Sequence, residues 1–192
     1  MNAILTLTQS ESNEHKPESF EVIVAGAFHI GFAALICQEM ELSAIRRGIG
    51  IAKRDEGYIQ QKMLEGKAII AFSSSGIWAG FSFIESWDNG QFVSNSGLIV
   101  APEFRNSGLA RLIKKSVFKL SRDMFPMAKI IGLTSSQAVM KINSELGFQP
   151  VTYAQLPQDP AFWDSCKSCV NYETLLQKEK KICFCTAMKY WV

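Results

Sequence analysis

No secretory signal is visible at the start of this sequence. Met1 to Glu18 is polar, with Gln9, Ser10, Glu11, Ser12, Asn13 and Glu14 in a row, and no basic start leads into an apolar stretch. A frayed tail is the expectation there. No apolar run approaches the ~20 residues that span a bilayer. Charge of one sign is also lacking: a formal net charge of +2 is too small to argue for a nucleic-acid or membrane partner. Internal repeats and long linkers are absent, so 192 residues suit one domain with an appendage. At 47% apolar and 20% charged, the composition is that of an ordinary soluble globular chain. Five cysteines without an export signal point to a reducing cytoplasm, which puts metal or free thiols ahead of disulfides.

Strand and helix periods alternate along the chain. Phe20 to Ala27 reads as a strand and Phe32 to Ile45 as a helix stopped by Gly48 and Gly50. Arg54 to Glu65 is a second helix, with Tyr58, Ile59, Met63 and Leu64 as apolar points and Gly66 at its end. Lys67 to Ser73 and Ile77 to Trp87 form a hairpin, and Asp88-Asn89-Gly90 turns the chain into a strand over Phe92 to Val100. From Gly108, Leu109, Leu112, Ile113, Val117 and Leu120 make one helical stripe, with Arg111, Lys114, Lys115 and Arg122 mainly off it. A short strand over Lys129 to Leu133, a helix over Gln137 to Leu146 and a final strand over Ile182 to Trp191 complete a mixed α/β pattern.

The chemistry is concentrated at Leu98-Ile99-Val100-Ala101-Pro102-Glu103-Phe104-Arg105-Asn106-Ser107-Gly108-Leu109-Ala110. A strand ends, Pro102 withdraws a backbone donor, and a glycine turn opens a helix. Such a turn aims unpaired N–H groups at one point, where the helix dipole adds to them, and a pyrophosphate suits it. Gly108 allows close backbone approach, Ala110 keeps the first turn clear, and Arg105 adds a charged donor. Short glycine motifs also recur as plain strand–turn–helix connections.

Arg105, Gly108 and Ala110, after Leu98, Val100 and Pro102, resemble the R-x-x-G-x-A/G turn and L-x-V-x-P strand of the GNAT acetyltransferase superfamily. Leu146-Gly147-Phe148 stands where that family ends a later helix in L-G-F. The resemblance covers residues 20–153. It implies a GNAT-like α/β fold, a central twisted mixed β-sheet flanked by helices, over residues 19–153, after a flexible tail at 1–18. Residues 154–192 would be a cysteine-containing C-terminal extension completing the sheet. It also implies acetyl-coenzyme A, or another acyl-coenzyme A, as donor, with Leu98, Ile99 and Val100 along the pantetheine. Arg105, Asn106, Ser107, Gly108, Leu109 and Ala110 would hold the pyrophosphate. A free amine would attack the thioester directly, and a backbone N–H near Val100 would stabilise the oxyanion.

The family's usual catalytic groups are missing. Asn143 stands where a tyrosine often protonates the leaving thiolate, and it can only hydrogen-bond the sulfur or the pantetheine. Ile131 and Gly132 replace a common carboxylate. Glu85, in an apolar strand, is either a buried carboxylate able to relay a proton or a solvent-facing neighbour of Ser86 and Asp88. His29 is a further titrating candidate, and Tyr153 can reach the thiol from the strand after Gly147.

Arg46, Arg47, Lys53 and Arg54 put four cations in nine residues without an acid. They suit an acceptor bearing carboxylates, or they form a solvated loop. The segment Ser43 to Arg54, with Phe162-Trp163 and the cysteine-rich ending, is similar to a bacterial GNAT subgroup of amino-acid N-acetyltransferases of the N-acetylglutamate synthase type. That resemblance implies a small anionic acceptor such as glutamate and a place in amino-acid biosynthesis. A protein or peptide N-acetyltransferase and a non-catalytic acyl-coenzyme A sensor are the alternatives. Cys166, Cys169, Cys183 and Cys185 form two close pairs that suit a structural zinc, packed free thiols or a disulfide. The expected partners are the acyl donor and a small-molecule amine, with a second copy of the chain as a further candidate and no nucleic acid or membrane.

Overall fold

A computed structural model describes residues 19–48 and 53–191. The expected tail at residues 1–18 and most of the glycine-bearing turn of the basic loop lie outside the described residues. One sheet of seven strands organises the rest, in the order β1-β2-β3-β4-β5-β7-β6. Its strands are β1 (Phe20–Val24), β2 (Ala68–Ser73), β3 (Trp78–Trp87), β4 (Phe92–Val100), β5 (Lys129–Thr134), β6 (Gln149–Pro150) and β7 (Thr186–Tyr190). Only β4 and β5 run parallel; the other neighbours are antiparallel.

Helices cover both faces, which is why β2 is apolar from Ala68 to Phe72 instead of alternating. Ala68 and Ile70 face α1 (Ala33–Arg47) and α2 (Glu56–Leu64), where Ile36, Met40, Ile59 and Met63 meet Phe81, Phe83 and Ile99. Ile69 and Ala71 face α3 (Leu109–Met124), whose Leu109, Ile113 and Val117 also cover Ala79, Ile84 and Val93. The Asp55 carboxylate accepts from the Tyr58 N–H at 3.3 Å and so caps α2.

The stripe expected on α3 is corrected in one place. Leu112 is 45% exposed, while Lys114 is buried at 2%. Each lies about 100° round the helix from Ile113. The side carrying Lys114 meets α4 (Gln137–Glu145) and Phe148, whereas the other side meets water.

The N-terminal helical stretch also departs from expectation. Ala27–Arg46 is 20 residues of mean hydropathy 1.2, long and apolar enough by those measures to cross a membrane. Ala33, Ile36 and Met40 on its inner side belong to the core, while Phe28 is fully exposed.

β4 and β5 pair only over Phe92–Ser94 and Lys129–Ile131, then part. Beyond Ser94 the outer edge of β4 has no strand beside it. On its inner edge, Gly97 and Leu98 together oppose Ser82, a bulge that bends β4 at the opening. Gly97 has φ +64, and a Cβ there would sit 2.4 Å from Phe83 Cε1. Gly97→Ala is therefore expected to cost about 2 kcal/mol or more, from the left-handed backbone and the displaced ring. Urea unfolding of the two proteins measures this.

β7 inserts between β5 and β6. The final strand is shorter than expected, because β5 ends at Thr134, opposite Thr186. Cys183 and Cys185 thus precede β7 and have no ladder to join. Around them α5 (Pro160–Asp164) and α6 (Tyr172–Gln177) bring Phe162, Trp163 and Leu175 against Ile131, Tyr153 and Ala187. Phe162 and Trp163 are packing anchors: the Trp163 indole donates to the Pro157 carbonyl at 3.1 Å, and Phe162 meets Trp87 edge-on at 5.4 Å.

Candidate functional site

The outer end of the site is the turn between β4 and α3. After a single turn over Pro102–Phe104, Asn106 (φ 64) and Gly108 (φ 87) swing the backbone into the left-handed region. The N–H groups of Asn106, Ser107, Gly108 and Ala110 donate to no group among the described residues. They stand at the positive end of a 16-residue helix. A Cβ on Gly108 would meet nothing within 4 Å, so the space over the turn is open. Arg105 bends back, its Nε donating to the Val100 carbonyl at 3.2 Å, which leaves its terminal nitrogens for a ligand. This turn can hold a diphosphate.

β4 leads inward from there. Ala101 donates to Ala79 at 2.9 Å, so by the alternation of an antiparallel ladder the N–H and C=O of Val100 point to the open edge. Leu98 and Val100 turn their side chains toward α3, and Ile99 turns to the opposite core.

At the inner end, where β4 and β5 part, a pocket of about 210 Å³ is lined by β3, β4, β5, α2, α3, α4 and the C-terminal extension. Glu85 is on its wall, with a side chain 16% exposed. Glu85 Oε2 lies 2.6 Å from Lys62 Nζ and also accepts from the Tyr58 hydroxyl. Tyr58 and Lys62 are one helical turn apart on α2, so one face delivers both. Burial, then the bond to Glu85, raises the Tyr58 pKa well above the phenol range, which keeps it a neutral donor. Arg54 enters from the basic loop. Its guanidinium lies 5.8 Å from the Tyr58 ring centroid and donates to the Ser165 carbonyl at 3.2 Å. Ser168 also donates to the Lys53 carbonyl, so the extension ties down the loop's end.

No protein-family model and no curated protein matches the sequence. Solved structures do match in three dimensions. An N-acetylglutamate synthase from Neisseria gonorrhoeae, complexed with coenzyme A and N-acetyl-glutamate, is 13% identical with a TM-score of 0.63, over 91% of this chain and 35% of that one. A Mycobacterium tuberculosis protein in complex with CoA and NLQ is 14% identical with a TM-score of 0.65, over 90% and 99% of the two chains. The chain has the GNAT fold. A phosphinothricin acetyltransferase of the GNAT superfamily from Sinorhizobium meliloti, in complex with AcCoA, is 11% identical with a TM-score of 0.59, over 91% and 88%. The chain spans about a third of the Neisseria synthase's length.

Within this GNAT fold the expected residues divide into two groups. Arg105 to Ala110 form the outer turn, while Glu85, Leu98, Asn143 and Arg54 line the inner pocket. Asn143 is 1% exposed, and its amide nitrogen would lie 3.4 Å from a Cβ on Gly132. Glycine at that position of β5 leaves room for it. Val100, the expected oxyanion donor, lies on the open edge but is not among the pocket-lining residues, where the bulge at Gly97 and Leu98 stands instead. Among the described side chains of the basic cluster, only Arg54 turns inward. Arg46 is exposed, Lys53 pairs with Glu41 at 3.1 Å, and the Arg47 side chain lies outside the description. His29 accepts from the Gly26 N–H at 3.0 Å and does not line the pocket. Tyr153 sits in a short turn after β6, not in a strand, and donates to the Cys185 carbonyl at 2.8 Å.

The cysteines proposed as metal ligands gather along the pocket's extension wall, where Cys166, Cys169 and Cys185 face the cavity. Among the described residues no three His, Cys, Asp or Glu side chains are grouped as metal ligands. Burial raises the thiol pKa of Cys166, and it pushes Cys185 up to about 12. Both are thiols at neutral pH.

Tyr58, Lys62, Asn95, Gly97 and Lys114 were not anticipated at the site. The four-residue spacing of Tyr58 and Lys62 and the polar Ser94-Asn95-Ser96 inside an apolar strand were the available signals.

Proposed function

We propose that this protein is an acyl-coenzyme A-dependent N-acyltransferase that moves an acetyl or similar group to the primary amine of a small anionic amino acid. The reading rests on one strand: β4 joins an anion-binding turn at one end to a pocket holding a carboxylate and a guanidinium at the other. The donor's diphosphate would lie on residues 105–110 and its pantetheine along the open edge of β4. Its thioester would then reach the parting of β4 and β5.

In that ternary arrangement Glu85 takes the proton of the attacking amine, directly or through water, while Tyr58 and Lys62 hold its carboxylate in place. Charge building on the thioester oxygen falls to backbone N–H donors at the bulge of β4. Most of the acceleration would come from orienting the two substrates. The Arg54 guanidinium pairs with a carboxylate of the acceptor. The same fold holds coenzyme A and N-acetyl-glutamate in the Neisseria synthase, which supports an amino-acid acceptor.

The test is thiol release from acetyl-coenzyme A with a panel of amino acids, dicarboxylic ones expected first. Coenzyme A binding without release for any amine would favour a sensor. Arg54→Ala is expected to raise KM for a dicarboxylic acceptor ~10-fold or more, the size of a charge-assisted hydrogen bond. KM for acetyl-coenzyme A should hardly move, and Arg46→Ala should change neither. Equal effects of Arg54→Ala on both substrates would remove the carboxylate argument.

A further inference from the structure

Lys114 is 2% exposed, yet no carboxylate faces it. Its Nζ lies 5.6 Å from the Phe148 ring centroid, and the residue lines the inner pocket. Asn143 from α4, Asn95 from β4, and Ile131 and Gly132 from β5 line the same pocket, as do Glu85 from β3 and Arg54, neither of which contributes to the titration of Lys114. The Arg111–Glu145 pair that links α3 to α4 is at the surface and contributes nothing to the titration of Lys114. Burial alone lowers the lysine's pKa to about 7.

Two more polar groups at this wall lack partners. Asn95 and Asn143 are 8% and 1% exposed, and the carbonyl oxygen of each carboxamide accepts no hydrogen bond among the described residues. Their amide nitrogens are taken, by Ser121 Oγ at 2.7 Å and Met188 Sδ at 3.6 Å. Buried polar groups are normally satisfied, and leaving an amine and two carbonyls unpaired in one pocket is destabilising. Such a concentration marks a place where a ligand supplies the partners.

We infer that Lys114 is the general acid of the transfer, its ammonium protonating the coenzyme A sulfur as the adduct's C–S bond breaks. The inference rests on the acyltransferase reading above. The amine nitrogen bonds to the thioester carbon and gives its proton to Glu85. The adduct then collapses, sulfur keeps the C–S electron pair, and the Lys114 proton moves to sulfur. Amide, thiol and neutral Lys114 result; the lysine regains a proton from water and Glu85 returns one. Nothing is oxidised or reduced. An unperturbed lysine, near ~10.4, is a weaker acid than a thiol near ~8.5, so burial is what makes the transfer run downhill. Asn143, which has no proton to give at neutral pH, is thereby relieved of the role.

The test uses coenzyme A itself and does not require the acceptor's identity. The thiolate absorbance of enzyme-bound coenzyme A is titrated in the native protein, in Lys114→Met and in Lys114→Arg. The permanent charge of Lys114→Arg beside the sulfur is expected to make the bound thiol about tenfold or more acidic than in Lys114→Met. The native lysine, which titrates at about 7, is largely neutral where the thiol ionises and should give only a fraction of that shift. Turnover of acetyl-coenzyme A with the best acceptor should fall ~100-fold or more in both variants with KM for the donor little changed, and Lys114→Met should lose the alkaline limb of the kcat profile.

Lys114→Met conserves volume and removes an unpaired buried amine, so it should fold. Its stability profile provides a check on the native lysine. The folded pKa is depressed below the unfolded value of ~10.4, so the unfolded chain binds more protons between about 7 and that value. Native stability should therefore rise with pH across this window, and the rise should be smaller in Lys114→Met. Equal thiol acidity in Lys114→Arg and Lys114→Met, or equal kcat pH profiles in native protein and Lys114→Met, would overturn the role of Lys114 while leaving the transferase reading intact. Failure of the native protein to bind coenzyme A would overturn both.

Discussion

Gly108→Val is expected to abolish measurable coenzyme A binding while the protein keeps its fold. Two effects add. The valine Cβ and methyls would occupy the open space over the turn, where the structure places no other atom within 4 Å. A β-branched residue at φ +87 would also pull the backbone away from the geometry that gathers the free N–H groups. A loss of two close backbone contacts to a diphosphate is worth about 3 kcal/mol or more, which is over ~100-fold in affinity. The stability cost should stay near ~1–2 kcal/mol, because the residue is exposed and touches no core atom. Titration calorimetry with coenzyme A, beside thermal unfolding of the same samples, measures both. Unchanged affinity would mean that the diphosphate does not lie on this turn.

Glu85→Gln is expected to lower kcat by ~10²-fold or more, the usual worth of a general base, with little change in KM for the donor. It should also destabilise the protein by roughly 3 kcal/mol, since the Lys62 ammonium, with a side chain 8% exposed, would lose its counter-charge. The double variant Lys62→Met/Glu85→Gln separates the two effects. Removing the stranded ammonium should recover most of the stability, and activity should stay low. If activity returned with stability, Glu85 would be a structural partner of Lys62 and nothing more.

These expectations differ in how far the sequence alone could carry them. The turn at residues 105–110 was legible because its geometry is local. Six consecutive residues, a glycine in the left-handed region and a following helix suffice to collect backbone donors, whatever lies across the sheet. Helix and strand periods were legible for the same reason. Glu85 was left between two readings, because a carboxylate near the end of an apolar strand looks the same whether its partner is water or a lysine 23 positions earlier. In the basic loop four cations read alike in sequence; among the described side chains Arg54 is turned inward, by its bond to Ser165 in the extension, while Arg46 is exposed and Lys53 pairs with Glu41.

Lys114 was the clearest misreading. By helical period it belongs off the apolar stripe, and charge argues the same. What buries it is the flank of α4 and the Phe148 ring, both contributed by chain that follows β5. The cysteines show the opposite case. Their spacing suggested a shared strand face, among other readings, and the length of β5 ended that ladder at Thr186, leaving Cys183 and Cys185 in the loop before it.

Sequence by itself determined the mixed sheet-and-helix architecture, the turn at residues 105–110 and the apolar faces that build two cores. Those features depend on residues within a few positions of each other, where covalent geometry and hydrogen-bond spacing leave few choices. The composition of the pocket was decided only by tertiary structure. Tyr58, Glu85, Asn95, Lys114 and Asn143, which line it, come from five separate elements, and Lys62 pairs with Glu85. What sets their charge and reactivity is desolvation and pairing by neighbours far away along the chain.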